Sequence, residues 1–393
     1  MSDRGRPLRV LLTAFGSRGD VVPRVALGQE LRRRGQGVTI ACAGRFCPLV
    51  ASYGVDAVKL GDYPTNDALT RAFARIAPDR DPGRRGDTLL RELLDPMLPG
   101  LLQELLAIEG PFDLVVLNEL LATFAFPPVI EPGRLVFTLT TQPIGGFARL
   151  LRASPCIKLV GSSPMLLPPD HGLDETFEIT DFWLPEERQA FRPDPVLEDF
   201  LSRPAPGAPE SRPPVVAVAM GSAWGTDPVI SRQTLAGAAR RAGVRLVVQD
   251  FAPPPGKSIA SADGWLISIG QVPYAWLFER VHAVLHHGGA GTIAEALRAR
   301  CPSITVPHYG DHLYWAVRLE AAGLSAGMVL PSELNEPILA ERIDRAVHDD
   351  GLRQSVVTAG SQLDAAGGVR AAVDWLEALA QQARSLARPD EKR

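Results

Sequence analysis

Two kinds of hydrophobic pattern alternate along this chain. In its first half, "LRVLLTAF" (8–15), "GVTIACA" (37–43), "VDAVKL" (55–60), "FDLVVLN" (112–118) and "RLVFTLT" (134–140) are short and dense in apolar, largely β-branched residues. Such runs predict strands buried on both faces, the habit of a parallel sheet. Between them, apolar residues fall at helical spacing. "VVPRVALGQELRRRG" (21–35) sets Val25, Leu27 and Leu31 beside Arg32, Arg33 and Arg34 and closes on Gly35, a helix stop. The rhythm breaks at "SRPAPGAPESRPP" (202–214), where the prolines suit neither helix nor ladder and a linker is expected. It restarts with "VVAVAM" (215–220), "VRLVVQD" (244–250), "GWLISIG" (264–270), "HAVLHH" (282–287) and "SITVPH" (303–308). The pattern predicts an α/β protein of two doubly wound domains. The first spans 1–201, the linker 202–214 and the second 215–373, which leaves a C-terminal helix and tail, 374–393, able to pack back on the first domain. A length of 393 residues, too great for one ordinary core, agrees.

Composition narrows the class without naming a partner. The chain is 46% hydrophobic and 22% charged, with a formal net charge of -4 and both signs interspersed. Neither a basic arm nor a basic stripe offers itself to nucleic acid. The opening "MSDRGRPLRVLLTAFGSRGD" has a short apolar run interrupted by Arg9 and followed by a polar turn, so a first strand is expected there and not a signal peptide. No run approaches the roughly 18 apolar residues of a membrane span. Cys42, Cys47, Cys156 and Cys301 lie without metal-ligand or redox spacing, which predicts buried thiols in a reducing cytoplasm. A homodimer stays open.

The chemistry concentrates at "HHGGAGTIAE" (286–295), a turn between the strand "AVLHH" and a helical segment. Glycines at such a turn let backbone N–H groups approach an anion, and the helix N-terminus adds a favourable dipole. The turn is either a phosphate cradle or simply a tight connection with satisfied histidines. Its spacing is neither that of a dinucleotide fingerprint nor that of a P-loop, and "FGSRGD" after the first strand supplies no fingerprint either. No cofactor is therefore expected. Downstream, "CPSITVPHYGDHLYW" (301–315) ends a strand at Pro307 and places Asp311 and His312 at a strand's carboxyl end, where open α/β sheets hold ligands. "AMGSAWG" does the same for Ser222. A metal site built from His286, His287, His308 and His312 is the competing reading, and Pro307 and Gly310 argue against one helix carrying the last two.

From Trp265 through His312 the sequence resembles the donor-binding signature of GT-B glycosyltransferases that use UDP- or dTDP-sugars, with His287, Gly288, Gly289, Thr292, Glu295 and Asp311 in register. "GSRGDVVP" (16–23) resembles the opening loop of the antibiotic and sterol branches of that family. The likeness spans both domains and is weak between about residue 60 and residue 200, where such enzymes hold their acceptor. It implies a GT-B fold, two Rossmann-like domains facing each other across a cleft, and an inverting, metal-independent transfer to a small-molecule acceptor. By the same resemblance, His287 and the amides near Gly291 and Thr292 bind the diphosphate with help from Ser222. Glu295 accepts ribose hydroxyls, "GQVPY" sets Val272 and its neighbours on the base, and Asp311 binds the transferred sugar. His312 stands where most relatives carry Gln, a change that in some plant relatives accompanies galactose in place of glucose.

On the acceptor side, Asp20 stands where many relatives carry a catalytic His, and the antibiotic and sterol branches share the aspartate. It is the candidate general base, although an Asp before "VVP" is also a good helix N-cap. Relatives with a His base orient it with an aspartate after the fourth strand; here Asn118 takes that place, with Glu119 beside it. Ser17, Asn118 and Glu119 are the acceptor-side candidates. The apolar stretch 89–106 reads as core or as cleft wall. Competing functions are a GT-B phosphorylase, against which stands the lack of a PLP-holding lysine in the second domain, where Lys257 in "PPPGKS" is the only lysine, a nucleotide-sugar epimerase, or an auxiliary protein that activates a partner transferase.

Overall fold

The computed structural model describes residues 6–62, 95–118, 135–139, 157–168, 175–187, 191–202, 213–221, 231–250, 257–308 and 311–386, with isolated positions between them. The chain divides into two compact units. The first comprises 1–64, 94–188 and 366–393, and the second 65–93 and 189–365.

The first unit is built on seven parallel strands in the order β3-β2-β1-β4-β5-β6-β7. They are β1 Arg9–Ala14, β2 Gly37–Cys42, β3 Asp56–Lys59, β4 Leu114–Asn118, β5 Leu135–Leu139, β6 Ile157–Val160 and β7 Phe177–Ile179. Five answer to the apolar runs of the sequence. In β6, Lys158 interrupts the run; it is fully buried and donates from Nζ to Thr176 Oγ1 at 3.0 Å.

Helix α1, Arg18–Arg33, follows β1. Its N-cap is Ser17, whose hydroxyl accepts from Gly19 N–H at 3.2 Å. Asp20 is three residues in, and its Oδ2 accepts from Ser17 N–H at 2.6 Å, completing a capping box. The expectation that Asp20 itself caps the helix is thus corrected: Ser17 caps, and Asp20 reaches back. Val21, Val25, Leu27 and Leu31 enter one core with β1, β2 and the C-terminal helix Gly368–Leu386, which contributes Ala372, Val373, Leu376 and Ala380.

A polar clasp fixes that last helix to the end of α1. Arg34 donates to Glu30 at 2.7 Å, to Asp374 at 2.5 Å, to Glu377 at 2.9 Å and to the carbonyl of Arg370 at 3.1 Å. These carboxylates raise the pKa of Arg34 against the opposing effect of burial. Arg34→Ala is expected to lower unfolding stability by about 2 kcal/mol, the scale of hydrogen bonds to a charged group. The Glu30 carboxyl is held below its ordinary value of 4.5 by Arg33 first, with burial opposing and Arg34 assisting. A lowered carboxylate stabilises fully above its unfolded pKa and loses that contribution as pH falls through the folded one. Melting temperature should therefore decline below pH 4.5, and less steeply in the Arg34 variant. An identical acid profile in both proteins would remove Arg34 from the clasp.

The second unit carries seven strands in the order β10-β11-β9-β8-β12-β13-β14. All pair in parallel except β10 with β11. They are β8 Val215–Ala219, β9 Arg245–Gln249, β10 Ser258–Ala260, β11 Leu266–Ile269, β12 Ala283–His286, β13 Ser303–Thr305 and β14 Ser325–Met328. The helix Pro195–Ser202, which the sequence reading assigns to the first domain, packs here. Its Leu197 and Phe200 are buried with Val215, Val247 and Ile267, and Arg245 lies over the Phe200 ring. Residues 203–212 of the expected linker lie outside the described residues. Among the described residues, no helix is long and apolar enough to cross a membrane. Cys42 and Cys301 are buried, whereas Cys47 is half-buried with its Sγ 3.8 Å from that of Cys42. Burial, aided by Cys47, pushes the Cys42 thiol up to about 12.

Candidate functional site

Strand order reverses beside the first strand of each sheet, between β1 and β4 and between β8 and β12. Ligands of doubly wound sheets bind beyond the strand ends at such points. In the second unit, Gly221 follows β8 and His287 follows β12, and the two meet. The Nδ1 of His287 lies 3.3 Å from the carbonyl of Ala219. A Cβ on Gly221, whose φ is +54°, would come within 3.0 Å of the imidazole.

The next two glycines are required by the same ring and by the neighbouring turn. A Cβ on Gly289 would lie 2.5 Å from His287 Nε2. Gly288 has φ +92°, and a Cβ there would lie 2.8 Å from the carbonyl oxygen of His312. Gly289 is the N-cap of helix α2, Ala290–Arg298, and has no side chain with which to cap it. The N–H groups of Ala290 and Gly291, which open α2, precede its first intrahelical bonds, whereas those of Thr292 and Ile293 donate to the Gly289 carbonyl at 3.0 and 3.1 Å. Gly291 lies on this first turn, exposed, and a Cβ there would meet nothing within 4 Å. Its bareness is not demanded by the fold, and it keeps the backbone of the turn open to a ligand. Thr292 is buried behind it.

Helix α3, His312–Ala321, supplies the other wall. Asp311 is its N-cap residue, and its Oδ2 accepts from the Trp315 indole at 2.8 Å. The His312 ring stands edge-on to that of His287, centroids 4.6 Å apart. His308 lies before the helix, its Nδ1 2.6 Å from the Val306 carbonyl, so it and His312 do not share one. Among the described residues no group of three or more His, Cys, Asp or Glu is arranged to hold a metal. Burial lowers the pKa of all three imidazoles here, His286 to about 3, His287 to about 4 and His312 well below its ordinary range. All three are neutral at pH 7.

Two assigned residues are engaged elsewhere. Val272 packs its side chain into the apolar core, and its carbonyl accepts from the Gln249 amide at 3.1 Å, so only its backbone neighbourhood is left to a base. Glu295 pairs with Arg298 one turn along α2 at 2.5 Å. His286, which the sequence reading weighed as a metal ligand or as a satisfied histidine of a tight connection, is fully buried and accepts the Gly288 N–H at Nδ1, 3.1 Å away. It braces the turn that presents His287. Its position next to the glycine pair was the available signal. Ser222 and Glu119 lie outside the described residues.

In the first unit, Ser17 and Asp20 follow β1 at the reversal point. Asp20 is half-buried, and its Oδ2 also accepts from the Ser17 hydroxyl at 3.0 Å. A Cβ on Gly16 would lie 2.3 Å from that oxygen. Asn118 ends β4 fully buried: its amide donates to the Phe15 carbonyl at 2.8 Å and its oxygen accepts from Thr13 Oγ1 at 3.2 Å. These bonds tie β4 to the end of β1, a structural use for the candidate.

Known proteins share both halves of this arrangement. Residues 10–105 match the glycosyltransferase family 28 N-terminal domain, and residues 256–366 match the C-terminal domain of erythromycin biosynthesis protein CIII-like proteins. The chain is a glycosyltransferase with the GT-B fold. It is 29% identical to O-mycaminosyltylonolide 6-deoxyallosyltransferase of Streptomyces fradiae, covering 95% of this chain and 98% of that protein. It is 26% identical to the sterol 3-beta-glucosyltransferase of Kluyveromyces lactis across 95% of this chain, but spans only 35% of that longer protein. The fold matches the glycotransferase of kitacinnamycin, with TM-score 0.67, 18% identity and coverage of 95% and 99% of the two chains. It also matches the glycosyltransferase VinC in complex with dTDP, with TM-score 0.61, 17% identity and coverage of 95% and 100%.

Proposed function

We propose that this GT-B glycosyltransferase moves a hexose or deoxyhexose, with inversion, from a UDP- or dTDP-sugar to a hydroxyl or amine of a natural-product or already glycosylated acceptor. The reaction runs in the cytoplasm and without a metal ion. The observation that carries the donor half is the slot at the end of β12, where His287 and the bare first turn of α2 form a site for an anion. A diphosphate seated there meets backbone N–H groups and a helix dipole. Glu295 exchanges its bond to Arg298 for the ribose hydroxyls, and Asp311 and His312 receive the sugar. Asp20 accepts the proton as the acceptor oxygen attacks the anomeric carbon and the diphosphate departs from the opposite face, which inverts that carbon. Ser17 holds the carboxylate in place. The VinC complex with dTDP supports the nucleotide class, and the name of the Streptomyces fradiae relative supports a deoxyhexose.

The test is to incubate purified protein with UDP- and dTDP-hexoses and a panel of polyketide, peptide, sterol and glycosylated acceptors. A new glycoside and free nucleoside diphosphate in equal amounts are expected for at least one pairing. Absence of binding to either nucleotide class would overturn the reading.

A further inference from the structure

Resting on the donor site just described, the geometry of His287 dictates how it meets a diphosphate. Its Nδ1 faces the carbonyl of Ala219, 3.3 Å away. A carbonyl can only accept, so in the neutral ring the proton is on Nδ1 and Nε2 carries a bare lone pair. That lone pair is directed at the start of α2, since a Cβ on Gly289 would sit 2.5 Å from Nε2. Moving the proton to Nε2 would instead turn two lone pairs, those of Nδ1 and the Ala219 carbonyl, toward each other. A phosphate oxygen arriving at Nε2 therefore meets a donor only if the ring gains a second proton.

We propose that donor binding is coupled to uptake of one proton by His287, which holds the diphosphate as an imidazolium. The proton comes from solvent as the sugar nucleotide binds. When the bond between the anomeric carbon and the β-phosphate oxygen breaks, its electron pair stays on the phosphate, and the imidazolium faces the added negative charge. The acceptor's own proton goes to Asp20. Release of the nucleoside diphosphate returns the proton on His287 to solvent and restores the neutral ring.

The surroundings keep His287 neutral before the donor binds. His286 on β12, His308 after β13 and His312 on α3 are the imidazoles around it, and none supplies a counter-anion. Among the described residues, the nearby acids are Asp311, bonded to Trp315, and Glu295, paired with Arg298. Burial holds the free imidazole at about 4, with the Ala219 carbonyl opposing and His308 assisting, so at pH 7 the second proton arrives only with the anion.

Calorimetric titration with UDP-glucose and dTDP-glucose in two buffers of different ionisation enthalpy measures the uptake directly. These diesters have no proton of their own to exchange near neutral pH. Wild type should take up close to one proton, and affinity should fall about tenfold per pH unit between roughly pH 6 and 8, as linkage of one proton requires. His287→Gln keeps an N–H donor that does not titrate and should bind without uptake and with a flat pH profile, whereas His312→Gln should keep the uptake. Binding by wild type without uptake overturns the proposal, and so does uptake that persists in His287→Gln. Absence of any binding by wild type overturns the donor-site reading itself and is recognised by the absence of heat in either buffer. If His287→Gln fails to fold, imidazole nitrogen shifts of wild type decide: Nε2 must acquire the imidazolium signature when either probe is added.

Discussion

Asp20→Asn is expected to reduce turnover by a factor on the order of 100 or more, the usual effect of losing a general base, while sugar-nucleotide affinity stays unchanged. The separation follows from where the residue sits. Asp20 belongs to the first unit and the proposed diphosphate slot is built from residues of the second, none of which the substitution changes. An amide oxygen can still accept the Ser17 N–H that now bonds Oδ2 at 2.6 Å, so the capping box keeps that bond. What the amide cannot do is take a proton. Calorimetry with the donor and single-turnover rates on one preparation separate the two effects, and a melting curve checks the cap, whose loss would cost about 1 kcal/mol. Unimpaired turnover would reduce Asp20 to the partner of Ser17.

Sequence patterns disclosed the strands whose burial they encode and missed those that carry another signal. The ten expected runs all correspond to strands; most are dense in the apolar residues that a two-sided sheet interior demands, whereas β3, at the sheet's edge, exposes Asp56 and Lys59. The other four are short and chemically mixed. β6 hides a buried lysine, β7 is three residues with Glu178 at its centre, β10 is "SIA", and β14 is "SAGM" with a left-handed glycine, Gly327. Three to four residues of that composition give no alternation to read. The unit boundary was displaced for a related reason. Proline marks where regular structure stops, not where packing changes partner, and the helix before the linker buries Leu197 and Phe200 against the second sheet.

At the site, the types of residue were legible and their alliances were not. "HHGGAGT" announces a tight strand-to-helix turn, yet nothing in it says that His286 braces Gly288 or that Asn118 spends its amide on Phe15. The cap was readable from Ser17 and Asp20 three residues apart, a capping box once its helix is known. Tautomers depend on partners that only the fold brings near, here a β8 carbonyl reached from the end of β12.

The glycines of that turn allow a prediction that separates folding from binding. Gly288→Ala places a methyl 2.8 Å from the His312 carbonyl at a backbone φ of +92°, and such a conformation costs about 1 to 3 kcal/mol in any residue with a Cβ. That variant should melt earlier and lose donor affinity together. Gly291→Ala should behave differently. Nothing in the chain lies within 4 Å of the added methyl, and alanine is the better helix former by up to about 1 kcal/mol, so stability should hold or rise slightly. A diphosphate on the first turn of α2 needs the space above that backbone, however, and one unfavourable contact of about 1.4 kcal/mol weakens binding tenfold. Gly291→Ala is therefore expected to keep its melting temperature and to bind UDP-glucose or dTDP-glucose at least roughly tenfold more weakly. The measurement is a titration beside a melting curve for both variants. If Gly291→Ala binds as wild type does, the first turn of α2 is not where the diphosphate rests, and the anion must be held by His287 and the loop after β8 alone.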